Sequence, residues 1–253
     1  MSRSDLRTVL LAVIVTAVLP APTLAQAQPP AAPPPPPGWT GSVGAGLALT
    51  QGNSDTSSIN LAYDVKRDTG SKFLFKSGGL FIRGESEGEL TANRLGLEGR
   101  VDRKLTERTS VFVQLQYLRD EFKQIDYLLS PTVGVSHFLV KNDRTEFAVD
   151  GGLGVVWEKN PGFDVDTSGA VTAGQNFKHK LSDTAEITER VNALWKMDDF
   201  EDGLYIFGVG LAANITAATQ IKAELLNTFK NKPPTAEVQK NDVAVILSFV
   251  YKY

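Results

Sequence analysis

Apolar and polar side chains alternate with a period of two along most of the chain from Trp39 to Tyr253. In the last eleven residues Val243, Val245, Leu247, Phe249, Tyr251 and Tyr253 share one face, and Ala244, Ile246, Ser248, Val250 and Lys252 share the other. Successive side chains of a β-strand point to opposite faces, so this period predicts strands with one face against an apolar medium. Segment 39–51 sets Trp39, Val43, Ala45, Leu47 and Leu49 against Thr40, Ser42, Gly44 and Thr50. Segment 185–197 sets Ile187, Val191, Ala193, Trp195 and Met197 against Glu186, Thr188, Arg190, Asn192 and Lys196. The same reading gives twelve strands: 39–51, 56–67, 72–83, 91–104, 109–120, 126–139, 145–158, 168–181, 185–197, 204–215, 219–230 and 241–253. The third and eighth mix their faces. Most strands exceed the ~5–6 residues of globular strands and have the length of a tilted membrane crossing.

The connections alternate short and long. Short ones include Asp68 to Ser71, Thr106 to Arg108, Lys141 to Arg144, Ser182 to Thr184 and Thr216 to Ala218. Three share a frame: Leu105-Thr106 to Thr109, Leu181-Ser182 to Thr184, and Ile215-Thr216 to Thr219. Outer-membrane barrels keep short turns in the periplasm and longer loops outside. An even strand count then puts both termini on the periplasmic side. In that orientation Phe81, Tyr117, Tyr127, Trp157, Trp195, Tyr205 and Phe229 fall near the outer rim, and Trp39, Phe73, Phe147, Phe177, Tyr251 and Tyr253 near the periplasmic rim. Two aromatic rings with aliphatics between them suit a membrane barrel, whereas a soluble sandwich spreads its aromatics through its core. The predicted fold is an all-β, transmembrane antiparallel β-barrel of about twelve strands. The C-terminal strand, with Phe249, Tyr251 and Tyr253 on one face, resembles the closing strand by which bacterial outer-membrane barrels assemble.

The N-terminal region supports export. Arg3 and Arg7 precede an apolar run from Val9 to Leu19, followed by small-x-small patterns at Thr23-Leu24-Ala25 and Ala25-Gln26-Ala27. Residues 1–27 are therefore expected to be a signal peptide, cleaved after Ala25 or Ala27. The run is too short for the ~20 residues that span a bilayer as a helix. Residues 28–38 carry five consecutive prolines, Pro33 to Pro37, and read as a stiff linker. Residues 39–253 are left for the barrel. Without Arg3, Arg7 and Asp5 the chain keeps 24 basic and 28 acidic residues, a net charge of −4, which suggests no nucleic-acid partner. It has no cysteine, so no disulfide framework is available.

The first hairpin, Leu49-Thr50-Gln51-Gly52-Asn53-Ser54-Asp55-Thr56, resembles the Thr-x-Gly-Asn-Ser/Thr-Asp-Thr signature of the salt-induced outer-membrane protein family (YdiY-like), a family of unknown function. Thr91-Ala92-Asn93-Arg94 leading to Lys104-Leu105-Thr106-Glu107-Arg108 is similar to the same family. So is Tyr127-Leu128-Leu129-Ser130-Pro131-Thr132-Val133-Gly134-Val135. The resemblance implies a fold and a location and supplies no catalytic residue. Residues Gly52 to Thr56 read either as a loop shaped by its own backbone geometry or as a surface recognition tip.

The inward faces carry ten cations (Lys66, Lys76, Arg94, Arg100, Lys104, Lys178, Arg190, Lys196, Lys222 and Lys230) against nine acids (Asp64, Glu98, Asp102, Asp120, Glu146, Asp150, Glu158, Glu186 and Glu224). A pore that draws in one kind of ion needs an excess of one sign. Near-balance points instead to a lumen network, with Arg94, Glu98, Arg100, Asp102, Asp150, Glu186, Arg190, Lys222 and Glu224 as its main members. The expected role is a narrow or plugged barrel that maintains the envelope, with the link to salt stress implied by the family resemblance alone. A weakly selective channel for small solutes is the alternative, and an outer-membrane lipid hydrolase a remote one. His137 and His179, the only histidines, fall on the outward face near the periplasmic ends of their strands, so no catalytic residue is assigned. Asp198 to Gly203 and Glu85 to Glu89 are acid-rich loops, and oxygen ligands at this density suit Ca²⁺ or Mg²⁺. Their spacing does not match an EF-hand, and neither a metal nor any cofactor is assigned. The expected partners are outer-membrane lipids, lipopolysaccharide and the barrel-assembly machinery.

Overall fold

The period-two segments close on themselves. The computed structural model describes residues 38–51, 56–86 and 89–253. Twelve antiparallel strands run in chain order: β1 (Trp39–Gln51), β2 (Thr56–Asp68), β3 (Phe73–Ser86), β4 (Glu89–Lys104), β5 (Thr109–Asp120), β6 (Ile125–Lys141), β7 (Thr145–Lys159), β8 (Asp166–Lys180), β9 (Ala185–Lys196), β10 (Gly203–Asn214), β11 (Thr219–Lys230) and β12 (Asn241–Lys252). Each pairs with its sequence neighbours, and β1 pairs with β12 from Ser42↔Lys252 to Gln51↔Val243, which shuts the ring. Closure leaves no sheet edge, the condition for a β-structure to sit in hydrocarbon. Gly41 and Tyr253 exchange both backbone hydrogen bonds, at 3.1 and 3.0 Å, so the seam extends to the C-terminal residue. The expected leader 1–27 and the linker up to Pro37 lie outside the described residues, as do Gly52 to Asp55 of the first-hairpin motif.

Strand limits follow the sequence pattern to within three residues. The largest difference is at the β3–β4 connection, where pairing runs on to Ser86↔Glu89 after a register shift at Gly84/Glu85. Alternation stops there because those residues are polar on both faces, yet the backbone ladder continues without an apolar face to guide it. A second irregularity has a covalent cause. The β6–β7 ladder skips Ser130 and Pro131, and Pro131 has no N–H to donate.

The short turns share one device. Thr106 Oγ1 accepts from the backbone N–H of Arg108 and Thr109 (3.2 and 2.9 Å), Ser182 Oγ from those of Thr184 and Ala185 (3.2 and 3.1 Å), and Thr216 Oγ1 from those of Ala218 and Thr219 (3.2 and 3.0 Å). Asn142 does the same with its amide oxygen, accepting from Arg144 and Thr145 at 3.0 and 2.8 Å. The repeated Thr/Ser frame is thus a side-chain clamp on tight turns. All of these turns, and both ends of the barrel chain, lie at one end, called here the turn end. The other is the loop end.

Outward faces are apolar, with Val43, Leu47, Leu61, Val113, Val133, Leu153 and Leu247 exposed. Aromatics gather toward the two ends. At the loop end Trp195 Nε1 donates to Tyr205 OH at 2.7 Å, their rings meet edge to face at 5.8 Å, and Phe229 lies 5.9 Å from Tyr205. At the turn end Phe147 meets Phe177 edge to face at 6.1 Å, and the Arg67 guanidinium lies over Trp39 at 5.2 Å.

The closing seam is tightly packed at Gly46, where an added Cβ would stand 1.7 Å from the Leu247 carbonyl oxygen. Gly46→Val is expected to part β1 from β12 and destabilise the barrel by about 1–3 kcal/mol. The urea midpoint of the heat-modifiable, folded band checks this, and an unchanged midpoint would show that closure does not depend on that contact.

Candidate functional site

The interior is divided by depth. Toward the loop end the inward positions of β3 to β12 carry apolar side chains that meet across the lumen. Leu118, Ile125, Leu128, Val156, Ala170, Leu194 and Leu204 form one buried cluster. Ile82, Ala92, Leu226, Ala244 and Ile246 form a second, and Ile206 packs against both. Phe122, from the β5–β6 connection, folds in against the second cluster. Val156 and Ala170 are 0% exposed, as dry as the centre of a globular core.

Two ionic groups cap this apolar layer at the loop end. Lys196 Nζ is 2.8 Å from Glu158, 2.7 Å from Asp166 and 2.7 Å from Asp202. Lys230 Nζ is 2.9 Å from Glu158 and 3.0 Å from Asp202. Glu158, 1% exposed, therefore serves two lysines from β9 and β11, which stand two and four strands from its own β7 in the ring. Such a buried carboxylate is tolerable only because its charge is matched and both oxygens are bonded. On the opposite side Lys123, 0% exposed, donates to the Gln239 carbonyl at 2.9 Å and lies 3.1 Å from Asp242. Burial holds the Lys123 ammonium below the ordinary lysine range, and Asp242 opposes that shift. Arg94 completes this side, bonded to Asp120 at 3.2 Å and reaching across to Thr228 at 2.6 Å. Gln124, next to Lys123, holds a left-handed φ of 52°, and its carbonyl accepts from Asn160 at 2.7 Å. The β5–β6 and β11–β12 connections are thus tied over the apolar layer. A cavity of about 480 Å³ indents the loop end beside them, floored by Glu158, Lys196 and Lys230 and walled by Phe163 and Pro233.

Toward the turn end the interior is more polar, with one buried ionic cluster and several exposed pairs. Arg100 is bonded to Asp102 (2.7 Å) and Asp150 (3.1 Å) and lies 3.8 Å over the Phe112 ring; Lys76 joins Asp102 at 3.1 Å. Lys178 pairs with Glu186 at 2.8 Å and Lys222 with Glu224 at 2.5 Å. Arg190 reaches from β9 to within 4.0 Å of Glu98 on β4, almost opposite in the ring. Here Arg190 and Lys178 are 54% and 46% exposed, in contrast to Glu158.

The nine residues expected to form the lumen network all lie on inward faces and all have ionic partners, but they form separate groups rather than one web. Arg100, Asp102 and Asp150 share a cluster. Glu98 with Arg190, and Lys222 with Glu224, are pairs within the set. Arg94 and Glu186 find partners outside it, in Asp120 and Lys178. Strand periodicity missed the members contributed by loops and strand ends (Lys123, Asp166, Asp202 and Asp242), because facing is defined by period two only inside a strand. The one available signal was Phe122, an aromatic in a four-residue connection.

Other residues singled out by sequence are placed as follows. The acid-rich 198–203 loop bonds to cations rather than forming a shared cradle. Asp199 and Glu201 meet Lys232 at 2.5 and 3.1 Å, and Asp202 is held by Lys196 and Lys230. The hydrogen bond from Lys232 holds the Asp199 carboxyl below the usual range. Among the described residues no group of three or more His, Asp or Glu is arranged to hold a metal ion. His137 and His179 bond to the Thr109 and Thr145 hydroxyls at 2.9 and 2.7 Å on the outward wall. Thr56 opens β2 opposite Thr50 at the loop end, and the motif residues Gly52 to Asp55 lie outside the described residues.

A family model described as "Protein of unknown function, DUF481" matches residues 43–253. No curated protein matches the chain. Among solved structures the barrel is similar to a NanC porin, at 9% identity and a TM-score of 0.56, covering 83% of this chain and 100% of that one. It is also similar to a KdgM porin, at 8% identity and a TM-score of 0.50, covering 84% and 99%. Likeness at such identity is a likeness of fold.

Removing the shared carboxylate while keeping its shape takes the most buried acid from Lys196 and Lys230, which keep Asp202 and, for Lys196, Asp166. Glu158→Gln should lower unfolding stability by about 3 kcal/mol. Lys178→Gln, in a pair open to water, should change it by under about 1 kcal/mol. Urea titrations of both variants test the contrast, and equal effects would contradict the division of the interior by depth.

Proposed function

This chain belongs to the DUF481 family of proteins of unknown function, and from that premise we propose that it is an outer-membrane barrel, plugged in its outer half and open to the periplasm, with a structural role in the envelope. The membrane assignment is supported by the closed ring, the apolar outward faces and the aromatics near both ends, together with a fold shared with porins. The turn end is then periplasmic and the loop end faces outside. The observation that carries the plug is the apolar layer across the outer half of the lumen, where Val156 and Ala170 are fully buried, whereas Lys178 and Arg190 nearer the turn end are exposed. Twelve strands enclose an intermediate bore, and apolar residues contributed from ten of them are enough to fill one level of it. The link to salt stress rests on the sequence resemblance of the first hairpin and the two stretches that follow.

The expected partners follow from the two ends. Lipopolysaccharide surrounds the loop end in this reading. The assembly machinery meets the C-terminal strand, whose Phe249, Tyr251 and Tyr253 face outward beside β1. A second reading, a diffusion channel for small solutes, is favoured by the porin fold and by the solvated charges of the periplasmic half. The plugged reading includes no catalytic step.

Planar-bilayer recording of the refolded protein separates the two readings. The plugged barrel gives no stable stepwise currents, and Leu128→Ala with Leu194→Ala and Leu204→Ala, which hollows the apolar layer, is expected to produce them. Stepwise currents from the unaltered protein would overturn the plug in favour of the channel. Deleting Tyr251 to Tyr253 should lower the amount of heat-modifiable protein in the outer membrane, and unimpaired assembly would remove the role given to that strand.

A further inference from the structure

On the outward wall at the turn end, β1 to β4 present a continuous basic and aromatic surface. Trp39 is directly opposite Arg67, Arg67 opposite Phe75, and Phe73 opposite Arg103. All five side chains are exposed. The two arginines stand on β2 and β4, with β3 between them, so their backbones are about 10 Å apart. Arg67 lies over the Trp39 ring at 5.2 Å, which fixes the plane of its guanidinium. The arginines on the inward faces all have carboxylates: Arg94 with Asp120, Arg100 with Asp102, and Arg190 with Glu98. Among the described residues Arg67 and Arg103 have none within ion-pair distance.

Two guanidiniums with no counter-ion among the described residues, held among aromatics where the barrel wall leaves the hydrocarbon, lie at the depth of lipid headgroups. We propose that Arg67 and Arg103 bind the phosphate of an anionic phospholipid headgroup in the periplasmic leaflet. The guanidinium fork matches phosphate oxygens two at a time, and arginine side chains are long enough for both forks to converge on one headgroup. Trp39, Phe73 and Phe75 supply the ring surface that settles at the headgroup level and seats the glycerol and upper acyl chain beside them. The surface is matched in charge to an acidic lipid and not to a zwitterionic one, whose amine would meet the same two cations. This site rests on the membrane reading of the barrel and is independent of the plug.

Trp39 reports on the site directly. With Trp157→Phe and Trp195→Phe it is the only tryptophan of the full chain. That protein is reconstituted in phosphatidylcholine vesicles containing a minor fraction of brominated phosphatidylglycerol or, in parallel, brominated phosphatidylcholine. Quenching should show about a 5-fold preference of the Trp39 site for the anionic lipid. The preference should fall to near unity in Arg67→Ala with Arg103→Ala, survive Arg119→Ala at the other rim, and weaken in 0.5 M salt as expected of an exposed ionic contact (about a 5 Å screening length). Equal quenching by the two lipids, or a preference that persists in the double variant, overturns the site while leaving the barrel in lipid. No quenching by either lipid overturns the membrane reading along with it. Loss of the preference on adding millimolar inorganic phosphate would assign the arginines to free phosphate and overturn the lipid. If the single-tryptophan protein fails to fold, thermal unfolding of the unaltered chain decides the matter. Its Tm should rise in phosphatidylglycerol vesicles relative to phosphatidylcholine, and an equal Tm in both contradicts the site.

Discussion

Every backbone N–H and C=O in a lipid environment needs a partner, and a β-structure supplies one for each only when its first strand pairs with its last. The β1–β12 ladder meets that demand, from Gln51↔Val243 down to the exchanged hydrogen bonds of Gly41 and Tyr253. Much else follows from closure. A closed ring of antiparallel neighbours requires an even strand count for both chain ends to meet at one rim. It also forces each strand to give one face to the outside and one to the lumen. Gly46 shows how near the two strands of the seam approach, since no side chain fits there without moving the Leu247 backbone.

Closure also creates an interior, and this chain treats its two halves differently. Near the loop end, apolar residues from many strands are brought into contact, so the layer is dry and the charges beside it must be neutralised in place. Glu158 between Lys196 and Lys230, and Lys123 against Asp242, are therefore structural requirements of the filled half. Near the turn end, Arg100, Asp102 and Asp150 form a buried cluster, while pairs such as Lys178–Glu186 are exposed and of little consequence for stability. The difference between the halves is one of dielectric. The exposed pairs, Lys178–Glu186 and Arg190–Glu98, all lie toward the turn end, and the most buried carboxylate, Glu158, toward the loop end.

Much of the fold was legible in the sequence because period two is a backbone property that side-chain chemistry only marks. Trp39 to Leu47 and Val243 to Tyr251 announced their faces clearly. Legibility ended where polarity no longer tracked the faces, as at Glu85 and Ser86, whose pairing continues past the last apolar residue. The interior was legible in part. Its cations and acids were placed on the correct face, but which pairs form depends on strands five places apart in the ring, as with Arg190 and Glu98, and on loops that fold inward, as with Lys123. A narrow or plugged barrel was expected from balanced lumen charge, whereas the apolar layer of Leu118, Leu128, Leu194 and Leu204 was not read from the sequence. Only their common depth, set by the register of neighbouring strands, makes them one layer.

A plugged barrel requires a water boundary within its lumen, and the absence of cysteine from the chain makes that boundary directly measurable. Single cysteines at Val156, Leu194, Lys178 and Arg190, in protein reconstituted with one orientation in sealed vesicles, are exposed to a membrane-impermeant thiol reagent from either side. Cysteines at 178 and 190 should be labelled only from the side that bears the short turns, and those at 156 and 194 from neither. Labelling of 178 and 190 at similar rates from both sides would mean a continuous aqueous path and would contradict the plugged barrel.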